Sequence, residues 1–241
     1  MSASDSTRTV QFDNRSTATW ARRRLATNPR TWGYGLVLSG IVIAVSAATR
    51  QRGSVHAEDS VLVGTVAGLV LPILTFGIVS AAFDGKGARD AVGFTARFGG
   101  EPGGTYVPFV GYATAASAIV SAGLALVAMF VSNRFHVAVA DAAETACVMA
   151  LGGATYTVLY AWASTFGPAG EGRVVVLLID WFVGAGSGAM SLITPRAHLR
   201  GLLGERTPLD TPPRLSCVFL VVMFLLFAFA GLRRAWSIRA R

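Results

Sequence analysis

The sequence predicts an all-α polytopic membrane protein with six transmembrane helices, both termini in the cytoplasm and an interfacial helix near the N-terminus. Three observations predict this class. First, 53% of the 241 residues are hydrophobic and only 14% are charged, which is less charge than a soluble domain carries. Second, several apolar runs reach about 18 residues, the length that crosses about 30 Å of hydrocarbon. Third, these runs lack the period-two alternation that marks the strands of a transmembrane barrel.

Residues 1–30 form the predicted cytoplasmic N-terminal segment. Within it, residues 19–25 combine Trp20 and Leu25 with three successive arginines. Apolar side chains directed to lipid beside arginines that reach the headgroups are typical of an interfacial helix. A basic cluster that only retains the N-terminus in the cytoplasm explains the same residues equally well.

Six spans are predicted within residues 31–232, followed by a basic cytoplasmic tail at 233–241. The predicted spans are residues 31–48, 61–83, 105–132, 139–166, 173–192 and 215–232. Pro72 lies near the middle of the second span, where it removes a backbone hydrogen bond and bends the helix. Fourteen of the 21 Lys and Arg residues fall on the side of the N-terminus. Because basic residues accumulate on the cytoplasmic side, this bias predicts that both termini are cytoplasmic.

The connection at residues 84–104 is polar and rich in glycine, and the charge count places it in the cytoplasm. Glycine disfavours helix, so the sequence confines any helix of this loop to residues 88–98. We interpret that short segment as the contact surface for a soluble partner. The residues predicted to make the contact are Arg89, Asp90, Phe94, Arg97 and Phe98.

A few polar and aromatic residues within the spans are candidates for a substrate pathway. Asp180 is an acid well inside a predicted span, and a carboxylate at such depth must face the bundle and find a partner. A structural hydrogen bond between helices, or a wet position near the cytoplasmic face, is the simpler interpretation of Asp180. Tyr156 and Tyr160 are candidates for lining a path for an amphipathic molecule, although aromatics on such helices more often serve packing.

Ser187 lies between glycines, a pattern that also occurs in intramembrane serine peptidases. That chemistry requires a histidine base within hydrogen-bond reach of the serine. His56, His136 and His198 all fall in polar connections, so close helix packing through small residues is the favoured interpretation.

The sequence excludes several other activities. It has no GxxxxGK[ST] phosphate-binding loop, no HExxH motif and no metal-ligand spacing, so we expect no enzyme activity, cofactor or metal in this chain. Cys147 and Cys217 have no spacing that indicates a disulfide framework. The net charge of +8 is explained by basic residues beside the membrane, so no nucleic-acid partner is expected.

The order of these segments resembles the permease subunit of type-2 ATP-binding-cassette (ABC) exporters. The local match is residues 194–205, with the sequence TPRAHLRGLLGE, which is similar to the proline and short helix that precede the last span in that family. The resemblance implies that residues 19–25 are a connecting helix and that residues 84–101 contain the coupling helix that docks on a separate ATPase subunit. It also implies that residues 194–214 form re-entrant helices at the outer leaflet, where their arginines meet lipid headgroups.

The function expected from this resemblance is a permease of the cell inner (plasma) membrane. Two copies, or this chain and a related permease, would form a dimeric pathway surrounded by membrane lipids. ATP and Mg would be bound by the partner ATPase subunit, and this chain would carry no catalytic residue. The alternative is a non-transporting integral-membrane anchor or scaffold that uses the same cytoplasmic loop to hold a larger complex.

Overall fold

The computed structural model describes residues 14–51, 60–97, 101–133, 137–167, 169–186, 188–205 and 207–238. Within them the regular structure is entirely helical. The described residues form nine α-helices, one π-helical segment and two 3₁₀ turns. The α-helices are α1 (Asn14–Thr27), α2 (Pro29–Gln51), α3 (Leu71–Ala82), α4 (Ala88–Arg97), α5 (Pro102–Ser132), α6 (Val139–Ala163), α7 (Gly172–Val183), α8 (Pro195–Leu202) and α9 (Pro213–Trp236). The π-helical segment is Val61–Val70, and the 3₁₀ turns are Ala189–Ile193 and Pro208–Asp210.

Five helical segments of the described chain are long and apolar enough to cross a membrane. They are Thr31–Gln51, Val61–Ala82, Pro102–Ser132, Val139–Ala163 and Pro213–Trp236. These segments coincide with the first, second, third, fourth and sixth predicted spans. The all-helical class is therefore confirmed, whereas the number of six spans and the side on which the termini lie stay predictions.

The fifth predicted span, residues 173–192, is not a continuous helix. Helix α7 ends at Val183 after 12 residues, or about 18 Å, which is too short to cross a bilayer alone. An irregular connection and the turn Ala189–Ile193 follow before α8 begins at Pro195. Hydropathy does not reveal this interruption, because the residues after α7 remain small or apolar.

The second span changes its hydrogen-bonding register beside Pro72. Residues Val61–Val70 are π-helical, and the N–H of Leu71 donates to the carbonyl of Val66, five residues earlier. Pro72 lacks the N–H that a continuing α-helix requires, so a change of register at this point is the expected response of the backbone. The sequence predicted that Pro72 disturbs the helix, and the structure shows the disturbance as a π-helical segment just before the proline.

The helix bundle has two ends, which we call the α4 end and the far end. At the α4 end the N–H of Ala88 donates to the carbonyl of Ser164 at 3.0 Å, just after α6. The Arg234 guanidinium of α9 lies 3.9 Å over the ring of Phe166 at the same end. The far end contains the last residues of α2, α5 and α8 and the first residues of α6 and α9; Asn133, Asp141 and Leu202 line one cavity there.

Helix α6 is the centre of the bundle. Its glycines permit close packing against α5, because a Cβ on Gly153 would lie 2.8 Å from the carbonyl oxygen of Ser117. Ser121 Oγ donates across the same contact to the carbonyl of Met149 at 2.9 Å. Helices α2 and α9 instead expose apolar side chains outward, including Leu36, which is 73% exposed. Outward apolar faces are typical of helices that contact lipid.

Candidate functional site

Helix α4 is an amphipathic helix held against the end of the bundle. Its buried face consists of Ala88, Ala91, Val92 and Thr95. Thr95 Oγ1 lies 2.9 Å from Thr105 Oγ1 of α5, which fixes the helix against the start of the third span. The sequence prediction of a short helix between the second and third spans is thereby confirmed.

The opposite face of α4 carries the residues predicted to contact a partner. Arg89, Asp90, Phe94 and Arg97 are exposed, and Phe94 remains 53% exposed. Asp90 in the first turn and Arg97 in the last turn complement the helix dipole, so their charges also stabilise the helix. Phe98 lies outside the described residues. The structure shows where these residues lie, and their contact with a partner stays a prediction.

Helix α1 forms one wall of an open groove beside α4. The groove has a volume of about 1010 Å³, and its lining includes Trp20, Arg24, Arg89 and Phe94. The α1 wall is fixed to the bundle, because Arg24 pairs with Asp84 at 2.7 Å. The groove therefore presents basic and aromatic side chains together where the apolar spans end.

The glycines of the loop at residues 84–104 serve different purposes. Gly85 has a φ of +72°, a conformation that favours glycine, and it closes the turn after α3. Gly87 packs against another loop, since a Cβ at this position would lie 3.0 Å from the backbone nitrogen of Gly170. Gly87 therefore lets the loop approach the connection that leads into α7.

Arg173 joins that connection to the same loop. Its side chain is buried, with its Nη1 donating to Ser80 Oγ and its Nη2 to the carbonyl of Lys86, both at 3.1 Å. It also donates to the carbonyls of Gly170 and Ala169 at 3.1 and 3.2 Å. The sequence analysis counted Arg173 only among the basic residues that indicate topology, because its contacts with Ser80 and Lys86 join residues about 90 positions apart.

Helices α7 and α8 meet at an interruption about halfway along the bundle, at residues 184–186 and 188–194. We call this region the break, and we include in it Asp180 and Arg196 of the adjoining helices and the neighbouring Tyr156 and Tyr160 of α6. The Arg196 guanidinium lies beside Gly68, since a Cβ on Gly68 would be 3.2 Å from Arg196 Nη2. Leu199 packs on Gly152, and Leu202 reaches the far end. Helix α7 therefore runs from the α4 end to mid-bundle, and α8 continues from mid-bundle to the far end.

Asp180 of α7 is the carboxylate at the centre of the break, and it is 1% exposed. Its Oδ2 accepts a 2.7 Å hydrogen bond from the Tyr156 hydroxyl of α6. Its Oδ1 accepts from the backbone N–H of Arg196, at 3.4 Å, near the start of α8. Tyr160, one helical turn from Tyr156, stacks on it with ring centroids 5.8 Å apart. Three of the four predicted pathway residues, Asp180, Tyr156 and Tyr160, are thus brought together.

Two arginines of α8 satisfy carbonyl groups at the end of α7. Arg196 Nη1 donates to the carbonyl of Trp181 at 3.2 Å, and Arg200 Nη1 donates to the carbonyl of Ala185 at 2.7 Å. Arg200 also pairs with Glu205. In the structure these arginines bind the interrupted backbone, where unpaired carbonyls are costly within a membrane. Their contact with lipid headgroups, which the resemblance implies, stays a prediction.

Ser187 lies outside the described residues. The described serine next to a histidine is Ser216, whose Oγ is 3.4 Å from His198 Nδ1. His198 Nε2 is 2.9 Å from the carbonyl of Leu192, and both Ser216 and His198 are 0% exposed. This pair connects α8, α9 and the turn that precedes α8, so it fits a structural role. No group of three metal-ligating side chains occurs in the described part of the chain.

These observations define a helical membrane protein with an amphipathic helix at one end and a charged cluster at an interruption in mid-bundle. Comparison of the chain with protein-family models, curated proteins and solved structures finds no match.

Proposed function

We propose that this chain is the permease subunit of an ABC-type exporter in the plasma membrane, driven by a separate ATPase subunit. The observation that carries the proposal is helix α4, which follows the second span, is fixed on its inner face and exposes Arg89, Phe94 and Arg97 on its outer face. A rigid, exposed amphipathic helix at the membrane boundary is suited to transmitting a partner's movement to the spans.

The proposal requires six crossings, and five helical segments are each long enough for one. The sixth crossing would be made by α7 and α8 together. Helix α7 has 12 residues and α8 has 8, which together give about 30 Å of helix, the thickness of the hydrocarbon layer. The capping of both helices by Asp180 and Arg196 at the break explains how an interrupted crossing is tolerated. An even number of crossings places both termini on one side.

The arginine distribution supports the α4 end as the cytoplasmic side. Helix α1, the loop to α4 and the end of α9 concentrate basic residues at that end. Arg196 and Arg200 had counted against this orientation, but both bind carbonyl groups of the break and are not loop charges. The bias in favour of cytoplasmic termini is therefore stronger than the bare count.

In this proposal the ATPase partner binds ATP and Mg and moves α4. The movement reaches α7 through Arg173, which hydrogen-bonds to the carbonyl of Lys86 just before α4. Helix α7 in turn carries Asp180 at the break. A second copy, or a related permease, would complete the pathway.

The test is association with the ATPase in native membranes. Phe94→Asp places a charge on the exposed face of α4, and we expect it to abolish co-purification of an ATPase subunit while leaving membrane insertion intact. The matched control is Val139→Asp, because Val139 is 85% exposed at the far end. Unchanged ATPase recovery with Phe94→Asp, or co-purification of a large complex without an ATPase, would favour the anchor or scaffold alternative.

A further inference from the structure

Three buried hydrogen-bonding groups on the helices that meet at the break have no partner among the described residues. They are the Tyr160 hydroxyl, Trp181 Nε1 and Arg196 Nε. Tyr160 is 0% exposed, stacks on Tyr156 and is close enough to Asp180 to interact with its charge. Burial of a hydroxyl without a hydrogen-bond partner is unfavourable. The Tyr160 hydroxyl is therefore expected to have a partner in another state of the protein.

The charges of the break select the kind of group that fits there. Asp180 and Arg196 carry opposite charges; the backbone N–H of Arg196 donates to Asp180 Oδ1, and the Arg196 guanidinium donates to the carbonyl of Trp181. The two charges already cancel, so an added anion or cation would leave a net charge at the break in a medium of low dielectric. An uncharged group avoids this penalty.

The donors and acceptors at the break indicate which uncharged group can bind there. Arg196 Nε is a donor only, and the Tyr160 hydroxyl donates most favourably, so both require an acceptor. Asp180 accepts only, so a ligand beside it gains by donating. A hydroxyl group accepts and donates at once and therefore matches all three.

The surroundings of the break indicate the direction of entry. Phe182, Met190 and Ile193 are 81%, 75% and 62% exposed, and they flank the interruption on its outer side. Exposed apolar side chains at this depth contact acyl chains. A molecule that reaches the break from this side must therefore have an apolar body.

We propose that the break binds the hydroxyl group of an uncharged amphipathic molecule dissolved in the bilayer, between Tyr160, Arg196 and Asp180. The assignment of this molecule as the transported substrate rests on the proposed function, whereas its binding is a property of this chain alone. The residues of this site lie on α6, α7 and α8, and only the folded chain brings them together.

The experiment uses the full chain in phosphatidylcholine nanodiscs and three probes that share octanoyl chains. Dioctanoylglycerol presents one hydroxyl, its methyl ether presents none, and dioctanoyl phosphatidic acid is charged. Saturable increases in Tm give the affinity of each probe. We expect dioctanoylglycerol to stabilise the wild type and the other two probes to bind at least fivefold more weakly, since one hydrogen bond is worth about that factor.

Tyr160→Phe is the decisive variant because the Tyr160 hydroxyl makes no hydrogen bond to the described residues. It should leave the Tm without probe equal to or above that of the wild type, and weaken dioctanoylglycerol binding at least fivefold. Tyr112→Phe, at a partly exposed tyrosine of α5, is the control and should change neither value.

Three results would overturn the proposal: absence of any shift with dioctanoylglycerol, equal affinity in wild type and Tyr160→Phe, or tighter binding of phosphatidic acid. A lower Tm of Tyr160→Phe without probe would do the same, because the hydroxyl would then be structural. If the probes do not bind but an ATPase is still recovered from membranes, only the proposed binding site is rejected. If the probes bind but no ATPase partner is found, only the exporter function is rejected.

Discussion

Asp180 and Arg196 cap each other's helices across an interruption in mid-bundle. The carboxylate of Asp180 accepts from the backbone N–H of Arg196 at 3.4 Å, near the positive end of α8. The guanidinium of Arg196 donates to the carbonyl of Trp181 at 3.2 Å, near the negative end of α7. Each side chain therefore meets the helix end whose dipole favours its charge, which makes the broken segment a specific structure.

Replacing Asp180 tests this reciprocal capping. Asp180→Ala leaves the Tyr156 hydroxyl and the backbone N–H of Arg196 without their acceptor in a buried site, so we expect a loss of about 3 kcal/mol in the free energy of unfolding. Asp180→Asn retains an acceptor and should lose less. Unfolding titrations in mixed micelles measure both values, and equal stability of Asp180→Ala and wild type would be inconsistent with the cap.

Arg173 supplies a second prediction, on the connection between α4 and α7. Arg173→Met removes hydrogen bonds to Ser80 and Lys86 while filling a similar volume, and about 2–4 kcal/mol of stability should be lost, because several buried acceptors lose a charged donor. The control is Arg89→Met on the exposed face of α4, which should change stability by less than about 0.5 kcal/mol. The same unfolding titration compares them, and similar losses for both variants would refute the buried role of Arg173.

The contact between α5 and α6 depends on the absence of a side chain at Gly153. Gly153→Ala would place a Cβ 2.8 Å from the carbonyl oxygen of Ser117, so the helices must separate, at a cost of about 1–3 kcal/mol. Gly123→Ala is the matched control on α5, since nothing lies within 4 Å of its added Cβ. Thermal unfolding should distinguish the two, and a neutral Gly153→Ala would contradict the close packing.

The orientation of the bundle is testable by chemical labelling. In a background with Cys147 and Cys217 replaced by serine, Val139→Cys at the far end should react with a membrane-impermeant maleimide in intact cells. Arg97→Cys on α4 should react only after the membrane is opened, because the proposal places α4 in the cytoplasm. Labelling of Arg97→Cys alone in intact cells would reverse the topology.

Hydropathy and glycine placement were sufficient to predict much of the fold. Five long helices and the short helix α4 match segments expected from the sequence. Apolar length and glycine punctuation are local properties of the chain, so a sequence reading recovers them directly.

The break was not predictable in the same way. Residues 173–192 have the composition of a span, and Arg196 and Arg200 resemble loop charges in the sequence. Their function as caps depends on carbonyl groups of Trp181 and Ala185, about 15 residues earlier, which only the folded chain brings within reach. Asp180 and Tyr156 are likewise 24 residues apart, so the sequence suggested each residue but not their pairing.

The most direct test of the exporter assignment is photo-crosslinking from position 94 in native membranes. A benzophenone amino acid in place of Phe94 should form an adduct with an ATP-binding subunit, identified by mass spectrometry, while the same group at Val139 should not. The account predicts that adduct as the main product at position 94. Adducts with lipid alone, or with a protein that binds no nucleotide, would contradict it.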